Sequence, residues 1–347
     1  MSPSAPDQYY IQLLTNIPIY ANRYISPILF VIGNLGNLIC FSILLKKPWR
    51  KNVCAFYFLI YLLTNIIYVN STLFGSIMTL GLNIQLQNSN SFLCKAFFFS
   101  AYLFSLYPPV LLILASIDRL LISSQNVDTR LYSSKRLAYL LMSISFFLCF
   151  TFSLHILIKV HIQEMYPTIF ICYYDLSKSY QDFIFYSTII LAFLPPLILL
   201  ILSILSFKNV HHLRAIPRDK RDRIRQMTKR DFQLLRCLYT HDITYILSII
   251  LVDVGAIYGT INPAYSRTPN EEALYNFLNS FGAFIHFISR CSSVFIFIST
   301  SKAFRQEFKR MIYKICCRNI PIVQEENQVQ EHIEINNVHV HTVDLQN

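Results

Sequence analysis

Seven long apolar runs dominate the chain, and charge is confined to the short intervals between them. The runs are Ile25–Leu45, Val53–Thr79, Ala96–Ile117, Leu137–Ile158, Phe183–Phe207, Ile243–Ile261 and Ala273–Ser299. Each reaches or approaches the ~20 residues that a helix needs to cross a ~30 Å hydrocarbon core. A transmembrane β-barrel would show alternating segments of about 10 residues instead. The length of 347 residues would also suit two soluble domains. However, only 14% of residues are Asp, Glu, Lys or Arg, against roughly 25% in soluble domains. The sequence therefore predicts an all-α membrane protein, a seven-transmembrane helix bundle.

Lys and Arg orient that bundle. Of 30 basic residues, 24 fall in intervals on the side reached after the first run, five on the other side, and one, Arg290, inside the seventh run. The positive-inside rule then places the N-terminus outside and the C-terminus in the cytoplasm. The net charge of +11 reads as a topology signal and a contact surface for anionic lipid. It does not gather on one basic face, so nucleic acid is not an expected partner. No basic segment followed by an apolar one opens the chain, so the first membrane helix is expected to serve as its own insertion signal. The one N-x-Ser/Thr sequon, at Asn70, lies inside the second run, where glycosylation is not expected.

Topology also sorts the nine cysteines. Cys40, Cys54, Cys149 and Cys291 lie in or beside membrane runs, and Cys237 lies near the inner end of the sixth. Cys94 and Cys172 alone face the oxidising exterior, so they are expected to pair and tie the outer loop Val160–Gln181 to helix three. Cys316 and Cys317 follow "SKAFRQEFKRMIYKI", which reads as a short amphipathic eighth helix on the inner surface. A cysteine pair there is a palmitoylation candidate; two reduced thiols are the alternative. Residues 319–347 lose aromatics and periodicity and read as a disordered cytoplasmic tail.

Several landmarks together resemble a rhodopsin-like (class A) G-protein-coupled receptor. They are Gly36-Asn37 in run one, "IDRL" at the end of run three, Pro195-Pro196 in run five and "SKAFRQEF" after run seven. The likeness spans Ile25 to Cys317, and the forms "LASIDRLLISS" and "KNVCAFYFL" are most similar to invertebrate orphan and neuropeptide-type receptors. The resemblance implies an extracellular N-terminal segment (1–24), a receptor domain with its eighth helix (25–318) and the tail (319–347). It implies a heterotrimeric G protein as partner, an extracellular ligand, a plasma-membrane location and no cofactor. Cys94 precedes Arg119 by 25 residues, or ~37 Å of helix, which puts Arg119 near the inner surface. A charge at that depth must be paired or wet. The resemblance makes Asp118 and Asp231 its partners at rest, in a switch that opens when helix six swings outward.

The chain departs from the family in four places. The helix-two aspartate is Asn65, helix six has neither the Trp nor the Pro of its Cys-Trp-x-Pro element, and "SVFIF" replaces Asn-Pro-x-x-Tyr in helix seven. Pro108 and Pro109 sit together in run three, where a kink is expected. Arg290 stands where family receptors hold a sodium ion. The expectation is that Arg290 takes its place in a polar core with Asn37 and Asn65 as hydrogen-bond partners. Asp253, read as the only intramembrane carboxylate, is expected as its countercharge.

Ala101 stands where amine receptors carry an aspartate, which disfavours a small cationic amine. Phe98, Ala101, Tyr102, Tyr186, Asp253, Tyr258, Asn279 and Ala283 are the expected ligand-binding positions. Aromatic walls with one carboxylate favour a peptide. Two other readings stay open: a transporter or channel with an Asp253–His286–Arg290 relay, and a non-signalling decoy receptor. No HExxH, Walker loop or GxSxG occurs, so no enzyme is expected.

Overall fold

A computed structural model describes residues 5–50, 52–123, 133–166, 169–215, 229–261 and 267–316. Its long helices are α1 (Asp7–Leu44), α2 (Val53–Gly81), α3 (Ser91–Ile122), α4 (Lys135–Lys159), α5 (Lys178–Ala215) and α6 (Lys229–Ile261). The first five and Asp231–Gly259 of α6 are each long and apolar enough to cross a membrane. The seventh crossing is a broken pair, α7 (Pro269–Cys291) and α8 (Ser293–Thr300), bent by 47°. The break falls at Ser292-Ser293, where the Ser292 hydroxyl donates to the Ser289 carbonyl (2.8 Å) in place of regular helix bonding. Serine pairs are a recurrent cause of such kinks.

Local chemistry starts the helices. Asn52, Asn90 and Ser134 each accept a backbone N–H from the first turn that follows, opening α2, α3 and α4. Thr268 and Glu271 cap α7 reciprocally, side chain to backbone in both directions. At α1 the helix runs well ahead of the first apolar run. Residues Ala5–Tyr20 are already helical and pass through a π-turn, Ala21–Ile25, into Ser26–Leu44. Its early half lies against α7, where Asn270 donates to the Asp7 carboxylate at 2.9 Å.

Pro108 and Pro109 do not break α3, which is one helix of 32 residues with both prolines buried. What they remove is two backbone donors, leaving the carbonyls of Phe104 and Ser105 without their helical partners.

Between α4 and α5 the chain forms an antiparallel hairpin, β1 (Val160–Tyr166) and β2 (Ile169–Tyr174), with Ile162 opposite Cys172. Cys172 is disulfide-bonded to Cys94 on α3, with Cα atoms 5.6 Å apart. Lys159 closes the hairpin base on Asp175 at 2.9 Å. That ammonium, and after it the Ser177 N–H, hold the Asp175 carboxyl below its ordinary value. The hairpin is the one departure from an all-helical plan among the described residues.

Helix α3 is the axis of the bundle, packed by α2, α4, α5 and α6. Helix α2 is the most enclosed, whereas α4 and α5 present apolar side chains such as Phe147, Leu148, Ile190 and Leu197 outward, as lipid contact requires. Helices α1 and α7–α8 meet through glycine: a Cβ on Gly33 would lie 2.5 Å from Cys291 Sγ, and one on Gly36 2.8 Å from Val294 Cγ1. Gly33→Val should therefore lower stability by about 1–3 kcal/mol, the usual range for overpacking. Thermal melting of the detergent-solubilised protein measures it, and an unchanged melting temperature would contradict the close contact.

The chain divides into two compact units, residues 1–305 and 306–347. Helix α9 (Lys302–Cys316) starts in the first, where the Ser301 hydroxyl caps it by accepting the Phe304 N–H at 3.1 Å. In the second, Arg310 pairs with Glu307 at 3.0 Å.

Candidate functional site

Two buried arginines organise the polar interior, and they are solved differently. Arg119, near the end of α3, has no exposed surface. Its guanidinium donates to Asp118 at 2.6 Å, to Asp231 on α6 at 3.3 Å and to the Asn52 side-chain oxygen at 3.2 Å. Asn52 in turn donates to Asp231, and the Ser133 hydroxyl donates to the other Asp118 oxygen at 2.5 Å. Charge-assisted bonds of this kind are roughly twice as strong as neutral ones. The cluster thus joins α2, α3 and α6 through one guanidinium. Asn52 was not expected in it; its position just before an apolar run marks a helix cap, but not the bridge.

Helix α6 is held on a second side. The Gln233 side-chain oxygen accepts the Ser301 hydroxyl (2.8 Å) and the Ala303 N–H (3.0 Å), and Cys237 Sγ meets the Thr300 hydroxyl at 2.9 Å. The first turns of α6 are therefore fastened to α3 on one flank and to the α8–α9 junction on the other.

Arg290, on α7, is 1% exposed and has no carboxylate partner among the described residues. Its Nε donates to His286 Nε2 at 3.1 Å, one terminal nitrogen to Asn65 Oδ1 at 3.3 Å and the other to the Ser105 carbonyl at 3.4 Å. That last carbonyl is one that Pro109 leaves without a helical donor. Two departures that look unrelated in sequence therefore meet in one contact. Since His286 Nε2 accepts, its proton sits on Nδ1 and points to the Ser248 hydroxyl at 3.2 Å, so the imidazole is neutral. The rings of Tyr68 and Tyr245 face the guanidinium at 5.4 and 5.8 Å, within cation–π range.

A family model, the 7 transmembrane receptor (rhodopsin family), matches residues 36–295. The chain belongs to that family. No curated protein matches it. It is accordingly a multi-pass receptor of the plasma membrane.

Three expectations about the receptor's polar core need correction. Asp253 is not the countercharge of Arg290: it makes no ion pair among the described residues, and its Oδ1 has no hydrogen-bond partner. Ser248 marks the level of His286 on α6, and Asp253 lies five residues further, ~7.5 Å along the axis. The relay from Asp253 through His286 to Arg290 therefore lacks its first link. Nor is Asp253 the only intramembrane carboxylate. Asp242, 1% exposed, accepts from Ser116 on α3 (3.3 Å) and Ser203 on α5 (3.0 Å). It escaped notice because the sixth apolar run starts one residue later, while α6 begins well before it. Asn37 also serves differently, donating to the Arg290 main-chain carbonyl at 3.3 Å rather than receiving the guanidinium.

The eight expected ligand-binding positions have different neighbours in the structure. Phe98 packs under the hairpin, edge-on to Tyr174 at 5.0 Å and against the disulfide cluster. Tyr102 leans on His155 at 5.3 Å, and Ala101 is half-buried beside it. Tyr186 is mostly exposed and lines an open apolar groove of about 520 Å³ with Leu106, Leu148, Phe152, Phe183 and Ile190. Asn279 lies against Gly255 of α6, Ala283 packs on the Tyr68–Phe287 cluster, and Tyr258 is half-buried. Cys316 ends α9, and Cys317 lies outside the described residues, as do residues 319–347.

Proposed function

We propose that the receptor binds an extracellular peptide at the hairpin end and activates a heterotrimeric G protein at the Arg119 end. The N-terminus is then outside and the C-terminus cytoplasmic, in keeping with the 24 of 30 basic residues on one side. The observation that carries this reading is the Arg119 cluster, a charged clasp from α3 to the first turn of α6 at the face where a transducer would dock. Asp118, Arg119 and Asp231 form the switch, with Asn52 as a third strap.

A peptide is favoured because Asp253 carries a carboxylate oxygen with no hydrogen-bond partner among the described residues, suited to a guanidinium or amine on the ligand, with Tyr258 further along α6 and Asn279 facing it from α7 at Gly255. Cys316 and Cys317, after an amphipathic helix, are the proposed palmitoylation sites.

The test is expression at a cell surface with a promiscuous G protein, followed by a neuropeptide library read by calcium release. A peptide response that disappears in Asp253→Asn supports both the ligand class and its anchor. Responses confined to lipids or volatile compounds would overturn the peptide assignment.

A further inference from the structure

Helix α1 carries an apolar row that nothing among the described residues covers. Tyr10, Ile17, Tyr24, Val31 and Leu38 recur every seven residues along it, and all five are exposed, from 36% at Ile17 to 62% at Tyr24. In its membrane half such a row can face lipid. The other half has no lipid to face. Arg23 Nε donates at 2.7 Å to the carbonyl of Gly81, the last residue of α2, so Arg23 marks the level where the bundle leaves the bilayer. Lys46 follows 23 residues later, ~34 Å along the axis, which matches a ~30 Å hydrocarbon core. Residues 7–22 therefore project ~24 Å beyond the membrane, in one helix with the rest of α1.

That projecting segment has three sides. Leu14, Pro18 and Ala21 are buried on one. Gln8, Gln12 and Thr15 hold the second, exposed and polar. Tyr10, Leu13, Ile17 and Tyr20 hold the third, exposed and apolar. Large apolar side chains gathered in water on one side of a helix mark an interaction surface. No residue from Gln8 to Asn22 carries a charge, so the surface suits neither a cationic nor an acidic partner.

The spacing identifies what covers it. A strict seven-residue row winds slowly around a straight helix, so it stays in contact along its length only with a second helix that supercoils about it. Because the row passes from water into the bilayer unbroken, that second helix must itself cross the membrane alongside α1 and project as far. We infer that it is α1 of a second copy of this chain, the two helices packed in parallel about a two-fold axis along the membrane normal. Each row then faces its own counterpart, as two-fold symmetry requires, with Ile17 beside Ile17 of the partner subunit. Neither ligand nor transducer is needed for this contact.

The test is cysteine crosslinking of the full-length receptor in native membranes. Under mild oxidation Ile17→Cys should give a disulfide-linked band at twice the receptor's mass, and Thr15→Cys, on the polar side, should not. Energy transfer between two differently labelled pools of receptor at the cell surface reads the pairing independently. Ile17→Lys sets like charges across the axis and should weaken self-association by about tenfold or more. Its surface level should hold, because Ile17 is open to water in a single copy. Equal crosslinking at the two positions would overturn the pairing, as would a crosslink from Ile17→Cys only to a protein of another mass. So would native receptors that show no energy transfer, or transfer that Ile17→Lys leaves unchanged.

Discussion

Asp231→Ala is expected to raise ligand-free signalling, shifting the active-to-resting ratio by about 5–30-fold, the equivalent of one or two kcal/mol. The substitution removes the acid that holds Arg119 to α6 at 3.3 Å and also the partner of the Asn52 amide. Arg119 keeps Asp118 at 2.6 Å, so the guanidinium is not stranded and the fold should survive. What is lost is the link between helices, and a loss confined to one of two states moves the equilibrium by its differential contribution. Asn52→Ala should act in the same direction and more weakly, because it cuts a neutral strap while the ion pair stays. Basal G-protein activation, normalised to receptor at the surface, measures both. An Asp231→Ala receptor with native basal activity would sink the clasp.

Cys172→Ser is expected to destabilise the receptor by about 4.5 kcal/mol if chain entropy dominates, since the bond closes a separation of 78 residues. More than loop closure is at stake. Cys94 and Cys172 are both buried, and Ile156, Val160, Phe98 and Tyr174 pack around them. Without the bond the hairpin keeps its own ladder but loses its covalent tie to α3. The Asn88 side chain, which accepts the Cys172 N–H at 2.9 Å, cannot replace that tie. Surface antibody staining should fall to a small fraction of native, with a matching drop in melting temperature. Native staining and native melting together would contradict a structural role.

Much of the fold was legible because membrane helices announce themselves by length and apolarity, and because the cysteines on one face were only two. The Arg119 cluster was legible in part: Asp118 is its neighbour in sequence, and Asp231 stands at the corresponding end of the sixth helix. The rest depended on three-dimensional neighbours. Asp242 was hidden because a run of apolar residues marks where charge stops, not where a helix enters the bilayer. Asp253 was misjudged because a charge pair was inferred from scarcity rather than from helical rise. The meeting of Pro109 with Arg290 could not be read from either residue alone. It needs both the missing N–H and the proximity of α3 to α7.

Helix α6 runs unbroken from Lys229 to Ile261, with no proline to soften it, and Gly255 brings it against Asn279 of α7. Such a rod transmits tilt rather than absorbing it. In the proposed switch, with Gly255 as fulcrum, the arm down to Asp231 is 24 residues, or ~36 Å. A rotation of ~10° there sweeps the far tip through ~6 Å, more than enough to part Asp231 from Arg119. In the proposed switch, leverage takes the place of a hinge.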